Sequence, residues 1–516
     1  MFDQVHVPTL FLWTPVVSAA ALLYWHVSRR RGLPLPPGPT GIPIIGNALS
    51  LPSQTPWVTY AEWSRKYNSE LVSFTIFGKV HIVVNSLRAA KELLEARSAI
   101  YSNRPHMTVL DMSGWDFNLG LMPYGNGWRA RRRLLHIEFA TDRASAYWPL
   151  QMAKNEEMIR RLYEDPDGLL DHIRVSAASI AMELAYGLDI APKNDPFVEL
   201  AQKSVAMVPR AGRPGVVLVN ALPFLRHLPS WLPGMGFKRS AEQCFKMVTD
   251  MIELPWAAVE RQVAEGTARP SLTSSWIIKN KDSDPGEEAE RAAKDASGVL
   301  YAAGADTTTA TLTSIVLALV LNPEVQVKAQ AEIDSVVGRS RLPTFDDRAY
   351  LPYVEAVVRE VRRWHQALPL PPSREVDQDD IYMGMLIPKG AQIFTNLWAI
   401  THDPDVYADP DVFRPERFLT SEGTLDNDKS WTLFGFGRRV CAGQHLADAT
   451  IWIVTASILA VHTISKAKDA QGNEIPVEVA TLDGLVCHPA PFRHSIKPRD
   501  AEAEALIKSL RKNRVY

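Results

Sequence analysis

The sequence predicts a mainly α-helical protein with small β-sheets, one large domain behind an N-terminal membrane anchor. Three observations lead there. Apolar residues recur at helical spacing through most of the 516 residues, with short alternating runs only around 71–85, 381–392 and 477–497. No linker in the middle of the chain separates two cores, so the length reads as one large domain. Finally, Gln4 to Ser28 contains no Asp, Glu, Lys or Arg.

That uncharged stretch defines the first element. As a helix, Val7 to Val27 is about 30 Å long, the hydrocarbon thickness of a bilayer. Asp3 precedes it and Arg29, Arg30 and Arg31 follow. The positive-inside rule then places the N-terminus outside and the body in the cytosol, whereas a cleaved leader wants its positive charge ahead of the apolar run. Ala19-Ala20-Ala21 nevertheless keeps a cleavage site open as an alternative. The anchor and its basic stop occupy 1–31. A proline-rich hinge follows at 32–47, where Pro34, Pro36, Pro37, Pro39 and Pro43 predict a semi-rigid extended spacer.

The body spans 48–498. Trp57 to Tyr67 reads as a helix, Leu71 to Phe77 and Val80 to Asn85 as strands, and Ser86 as a helix cap. From Gly127 to Ile278 the spacing is helical, apart from a Pro/Gly-rich patch at Pro209 to Gly236. A long helix runs from Ala289 to Leu321 and closes at Asn322-Pro323. Another covers Gln444 to Val461, and 499–516 reads as a charged surface tail.

Composition excludes several functions. A net charge of −2 argues against nucleic-acid binding, and 46% hydrophobic residues are ordinary for a globular enzyme. Cys244, Cys441 and Cys487 are too few for a disulfide framework and point to a reducing compartment. His365, His402, His445 and His488 show no paired metal spacing and read as capping, loop or packed residues.

The chemistry concentrates in Phe434-Gly435-Phe436-Gly437-Arg438-Arg439-Val440-Cys441-Ala442-Gly443. One cysteine ends a glycine-rich loop just before a helix, where unpaired N–H groups stabilise a thiolate and make it a metal ligand. The glycines let the backbone lie against a flat partner, and the arginines supply cations for acidic groups at its rim. A haem fits that description. The order Phe-Gly-x-Gly-x-Arg-x-Cys-x-Gly resembles the haem loop of the cytochrome P-450 monooxygenases, and the resemblance extends over nearly the whole chain. It implies the cytochrome P-450 fold, with 48–498 as the haem-thiolate catalytic domain. It also implies haem b as cofactor, with Cys441 as iron ligand, Phe434 beside the sulfur and Arg439 on a haem propionate.

Three further motifs carry the resemblance. In Ala303-Gly304-Ala305-Asp306-Thr307-Thr308, an acid and an alcohol lie awkwardly within an apolar helix. The family's oxygen-activating motif implies that Thr307 hydrogen-bonds dioxygen, that Asp306 relays protons and that Gly304 admits the ligand. Glu360 and Arg363 sit one helical turn apart, and with Arg417 in Phe413-Arg414-Pro415-Glu416-Arg417-Phe418 they match the family's buried charge triad. Trp128 and Arg132 match its Trp-x-x-x-Arg, assigned to a propionate, with Arg374 a third candidate. Arg129, Arg131 and Arg133 read as a solvated basic face toward an acidic redox partner.

The function this implies is insertion of one oxygen atom of O2 into a mostly apolar small molecule, a fungal secondary metabolite such as a terpenoid, polyketide or indole. Electrons come from NADPH through a separate cytochrome P-450 reductase, with cytochrome b5 as a second donor, at the endoplasmic reticulum membrane. Pocket candidates are the loop His106 to Leu119 with Trp115 and Phe117, Ala302 and Ala303, Leu368 to Leu370, and Leu485-Val486. Two other functions stay open: a haem-thiolate enzyme that rearranges peroxides, and a non-catalytic haem sensor.

Overall fold

The computed structural model describes residues 32–52, 54–139, 143–207, 214–232, 234–426, 432–482 and 484–510. The expected anchor at 1–31 lies outside them. Helix α1 (Pro56–Tyr67) begins on a proline, whose missing N–H suits a first turn, and ends at Asn68 in the left-handed region. Strands β1 (Leu71–Ile76) and β2 (Lys79–Val84) form a hairpin across Phe77 and Gly78, both at positive φ, as a two-residue turn demands. Ser86 caps α2 (Leu87–Lys91) by accepting the Ala89 N–H.

Helices then dominate: α3 (Thr108–Ser113), α4 (Asn126–Phe139), α5 (Trp148–Glu164), α6 (Leu169–Tyr186), α7 (Pro196–Ala206), α8 (Pro214–Ala221), α9 (Phe237–Glu265) and α10 (Leu272–Lys279). The 35-residue α11 (Glu287–Leu321) is about 50 Å long and yields to α12 (Pro323–Val336) at the expected proline. After α13 (Pro352–Trp364) come β3 (Arg374–Glu375), β4 (Asp380–Tyr382), β5 (Met385–Ile387), β6 (Gln392–Thr395) and α14 (Leu397–Thr401). The chain finishes with α15 (Gln444–Val461), β7 (His462–Lys466), β8 (Thr481–Leu482), β9 (His488–Pro489), β10 (His494–Pro498) and α16 (Ala501–Ser509). One sheet has the order β1-β2-β6-β3, with β2 and β6 parallel, and the pairs β4–β5, β7–β10 and β8–β9 are small and antiparallel.

Two apolar clusters meet along α11. Its C-terminal half, including Leu312, Ile315 and Leu319, packs with α5, α12, α13 and α15; its N-terminal half, including Ala296, Val299 and Ala302, packs with α4, α6 and α9. Between them burial lapses from Ala303 to Thr307. The acid-alcohol motif sits in that gap. Helices α11 and α15 are long and apolar enough to cross a bilayer, but most of each apolar stretch is buried, which marks them as core helices.

Two segments differ from expectation. The hinge is not a free spacer. The Pro37 carbonyl accepts the Ser73 N–H, the Pro34 carbonyl accepts the Leu386 N–H, and Asn47 bonds Thr75, so it is stitched to the sheet. Nor is the C-terminal tail free over 501–509. There Asp500 caps α16, and Ala503 and Ile507, one turn apart, enter the core cluster of α15. Spacing of two apolar residues outweighed the surrounding charge.

Four imidazoles are buried without a carboxylate. Burial pushes His81 and His402 down to about 3, and His365 and His462 down to about 4. Between pH 6.5 and those values the unfolded chain binds protons that the folded chain refuses, so stability is full above 6.5 and falls with acidification. His81 is stacked on Phe74 at 4.9 Å, and its Nδ1 is buried without a partner. His81→Phe keeps the stacking and removes the titration. Urea denaturation across that window is expected to show a shallower acid loss in the variant, each unit of lowering being worth about 1.4 kcal/mol.

Candidate active site

A cavity of about 400 Å³ lies between α11 and the loop before α15. The loop is held tightly. Gly435 and Gly437 take φ of 87° and 55°, and a Cβ on Gly437 would lie 2.2 Å from the Leu94 carbonyl, so only glycine fits. At Gly443, φ is ordinary and open space faces the residue, so its freedom serves no turn. Cys441 donates its N–H to the Phe434 carbonyl at 2.8 Å, and the Phe434 ring lies 5.3 Å from the Arg362 guanidinium.

The Cys441 sulfur opens onto the cavity although it lies deep in the fold. Burial pushes the thiol up, while the Gly443 N–H and the Arg132 charge pull it down. Helix N–H groups alone therefore do not make a free thiolate here. A metal cation at the sulfur would favour the ionised form.

Opposite the sulfur, Ala302, Ala303, Gly304, Asp306, Thr307 and Thr308 line the cavity. Thr307 donates its hydroxyl to the Ala303 carbonyl at 2.8 Å, the back-bond that a threonine inside a helix is free to make. Gly304 lines the cavity, and a Cβ there would meet only the Ala181 Cβ, at an ordinary 3.4 Å. Asp306 Oδ1 lies 3.1 Å from Nε2 of His488, a residue that its sequence context left as a loop histidine. Trp115, Leu119, Leu368, Leu485 and Val486 close the cavity, while Phe117 stacks behind Trp115.

Four guanidinium groups crowd one side. Arg439 donates to the carbonyls of Ser102, Leu119 and Met122, and lies 4.6 Å over the Trp128 ring. Arg374 donates to the Phe436 carbonyl, Arg132 to the Val440 carbonyl and Arg104 to those of Pro372 and Ser373. Trp128 spends its indole N–H on Leu119. Among the described residues no carboxylate pairs with any of the four arginines, and Arg104 Nε is buried without a partner. Burial lowers Arg439 to about 9 and Arg374 to about 10, with Arg374 repelling Arg439; Arg104 is lowered too, by burial and by the Arg439 and Arg374 charges. Arg104 had no local signal, being a single loop arginine that meets its partners about 270 positions away.

The basic run on α4 divides differently from expectation. Arg131 is not solvated. It is buried, pairing with Asp295 at 2.7 Å and with Glu288 at 3.0 Å, and ties α4 to α11. Behind the loop, Glu360 accepts two bonds from Arg363, at 2.7 and 2.9 Å, one from Arg417 at 3.0 Å and one from the Arg414 N–H at 2.8 Å. Arg363 also reaches the Thr401 carbonyl, and Arg417 those of Ala408 and Val412. Oε1 takes three of these four bonds and Oε2 one, and most of the guanidinium protons of Arg363 and Arg417 are used.

The cytochrome P450 family model matches residues 36–496. The chain belongs to the cytochrome P450 family. A cytochrome P450 monooxygenase of Armillaria gallica is 39% identical over 498 residues, 95% of this chain and 98% of its own length. Another, from Postia placenta, is 40% identical over 97% of both chains. The tryptamine 4-monooxygenase of Psilocybe cyanescens is 35% identical over 96% of this chain and 98% of its own. The protein is a haem-iron monooxygenase.

This P450 also fits its cofactor on its own geometry. Haem carries two carboxylates, and the cavity's arginine side offers unpaired, desolvated cations, one with an orphaned donor. It needs one axial donor, and a single thiol faces the cavity. Glu360 is fully buried, so Arg363→Ala strands its charge and is expected to cost about 3–5 kcal/mol. Chemical denaturation and the haem-to-protein absorbance ratio should both fall, whereas Arg129→Ala, on the exposed face of α4, leaves both unchanged.

Proposed function

We propose that this P450 inserts one oxygen atom of O2 into a small, mostly apolar secondary metabolite, with electrons from NADPH delivered by a separate reductase. The observation that carries this reading is one thiol, an acid-alcohol pair and a group of arginines lining the same cavity. Haem, when bound, supplies the reduction of dioxygen and the oxidant for the C–H bond. Cys441 is its proximal ligand. Arg104, Arg132, Arg374 and Arg439 neutralise its propionates, Trp128 supports Arg439, and Phe434 fixes the Cys441 backbone. Glu360, Arg363 and Arg417 hold the loop in place.

Asp306 and Thr307 move protons into the cavity. The carboxyl lies where α11 loses its cover, partly in reach of solvent, and the hydroxyl is adjacent in sequence. A peroxide-rearranging enzyme does not need that pair, nor does a sensor. The substrate class follows from the lining: Trp115, Val299, Ala302, Leu368, Leu485 and Val486 offer dispersion rather than charge, which suits a terpenoid, polyketide or indole skeleton. The exposed Arg129 suits an acidic redox partner, whether reductase or cytochrome b5. A single-pass anchor at 1–31 in the endoplasmic reticulum, with the body in the cytosol, completes the reading.

NADPH-dependent oxygen consumption with purified reductase is the direct test, since rearrangement of a peroxide requires neither. Cys441→Ser is expected to abolish the red-shifted ferrous carbon monoxide band, because a hydroxyl is a poor anionic donor. A retained band would place the ligand elsewhere.

Thr307→Ala is expected to keep haem and NADPH oxidation while diverting reduced oxygen to hydrogen peroxide. General acid groups contribute about 10²–10⁴-fold, so product per NADPH should drop at least several-fold. Product and peroxide measured together decide it; an unchanged ratio would leave Thr307 a helix residue only.

A further inference from the structure

The proton path assigned to Asp306 must reach solvent, and the structure gives that acid one side-chain partner among the described residues. His488 Nε2 lies 3.1 Å from Asp306 Oδ1, and each side chain is about a quarter exposed (28% and 25%). The imidazole is therefore wet on one side and bonded to the cavity acid on the other. Its backbone is fixed twice. His488 pairs with Leu482 across the β8–β9 hairpin, and the preceding Cys487 N–H donates to the Ala367 carbonyl at 2.8 Å.

The same hairpin carries Leu485 and Val486 into the cavity wall, so His488 stands where wall and solvent meet. Its other end is pinned as well: Thr481 bonds Nε2 of His365, whose Nδ1 bonds Ser314 on α11. Two titratable groups face His488 from the elements packed against it, Asp306 from α11 and His365 just beyond α13. Burial, with a smaller contribution from the His488 charge, lowers His365 to about 4, so it is neutral and does not compete as a proton source.

We infer that His488 is the outer member of this relay, holding the Asp306 carboxylate toward the wall and reloading it with protons from solvent. The step is a plain transfer: the imidazolium Nε2–H bond breaks, an O–H bond forms on Asp306, and the neutral ring regains a proton from water. Histidine suits this because its ordinary titration spans physiological pH. The inference rests on the proposed role of Asp306, and His488 acts through that acid rather than at the reacting atoms.

Three variants of the full-length holoenzyme with reductase test it: His488→Gln, His488→Ala and Asp306→Asn. Gln keeps an N–H donor near the carboxylate but carries no exchangeable charge. With any ligand that gives a substrate-type difference spectrum, the expected result is unchanged haem content and ligand spectrum for His488→Gln. Its peroxide released per NADPH should rise several-fold, with a larger solvent deuterium effect on coupled turnover. The pair itself is read without turnover: in protein labelled with ¹⁵N-histidine, the His488 Nε2 resonance should move in Asp306→Asn.

Full coupling in His488→Gln overturns the inference, reducing His488 to a clasp that any donor replaces. An unmoved Nε2 resonance overturns it by denying the pair. If Asp306→Asn uncouples and His488→Gln does not, only this inference fails. If neither uncouples, the relay role of Asp306 fails with it. Should His488→Ala fail to fold, the Gln variant still decides.

Discussion

Concentrated positive charge that the protein does not neutralise is the constraint on which the rest of this structure depends. Arg104, Arg132, Arg374 and Arg439 line one cavity, where their guanidinium groups meet main-chain carbonyls but, among the described residues, no carboxylate, and Arg104 Nε meets no acceptor. Carbonyl dipoles solvate a guanidinium but do not cancel its charge, and the lowered arginines register that deficit. On the proposed assignment an anionic ligand with two carboxylates would remove it, and haem binding would favour the folded state through the same charges, as any ligand that binds only that state does.

Elsewhere the fold treats buried charge in the opposite manner. Glu360 is fully buried yet saturated by Arg363, Arg417 and a backbone N–H. Asp448 takes Arg348 and Arg362, each at 2.7 Å, and these cations hold its carboxyl down at about 2 against the pull of burial. Both networks join α13 to the segments around the cysteine loop. They leave Arg104, Arg132, Arg374 and Arg439 without a carboxylate among the described residues. Arg362 links the two regions, pairing Asp448 while lying over the Phe434 ring.

What could be seen in the sequence depended on how locally each residue acts. The cysteine loop is legible because its turn residues, ligand and cations fall within ten positions. Helix α11 is legible because apolar residues fill most of its length from Ala296 onward and a proline ends it. Arg131 was misread because four arginines and one tryptophan within 128–133 erase any apolar period, so nothing local says which guanidinium turns inward to Asp295. Arg104 and His488 act across 270 and 182 positions, from segments whose local pattern carries no chemistry. The docked tail was legible in part: Ala503, Ile507 and the cap at Asp500 have helical spacing, but high charge obscured it.

The hydroxyls on α11 set a direction on the cavity chemistry. Thr307, Thr309, Thr311 and Ser314 each donate to the carbonyl one turn earlier, at 2.8 to 3.0 Å. For Thr309, Thr311 and Ser314, all buried, this satisfies a polar atom in the interior, and Ser314 bonds His365 Nδ1 as well. For Thr307, at the unburied gap, it means that the hydroxyl proton is already committed and the oxygen is free to accept. To donate into the cavity, Thr307 must release Ala303, at a net cost of about 1 kcal/mol. That is less than one tenfold step in rate. The back-bond is therefore no argument against a proton role. Under the proposed relay Thr307 gives up a proton only as another arrives, and Asp306, next in sequence and lining the same cavity, is the group that would supply it.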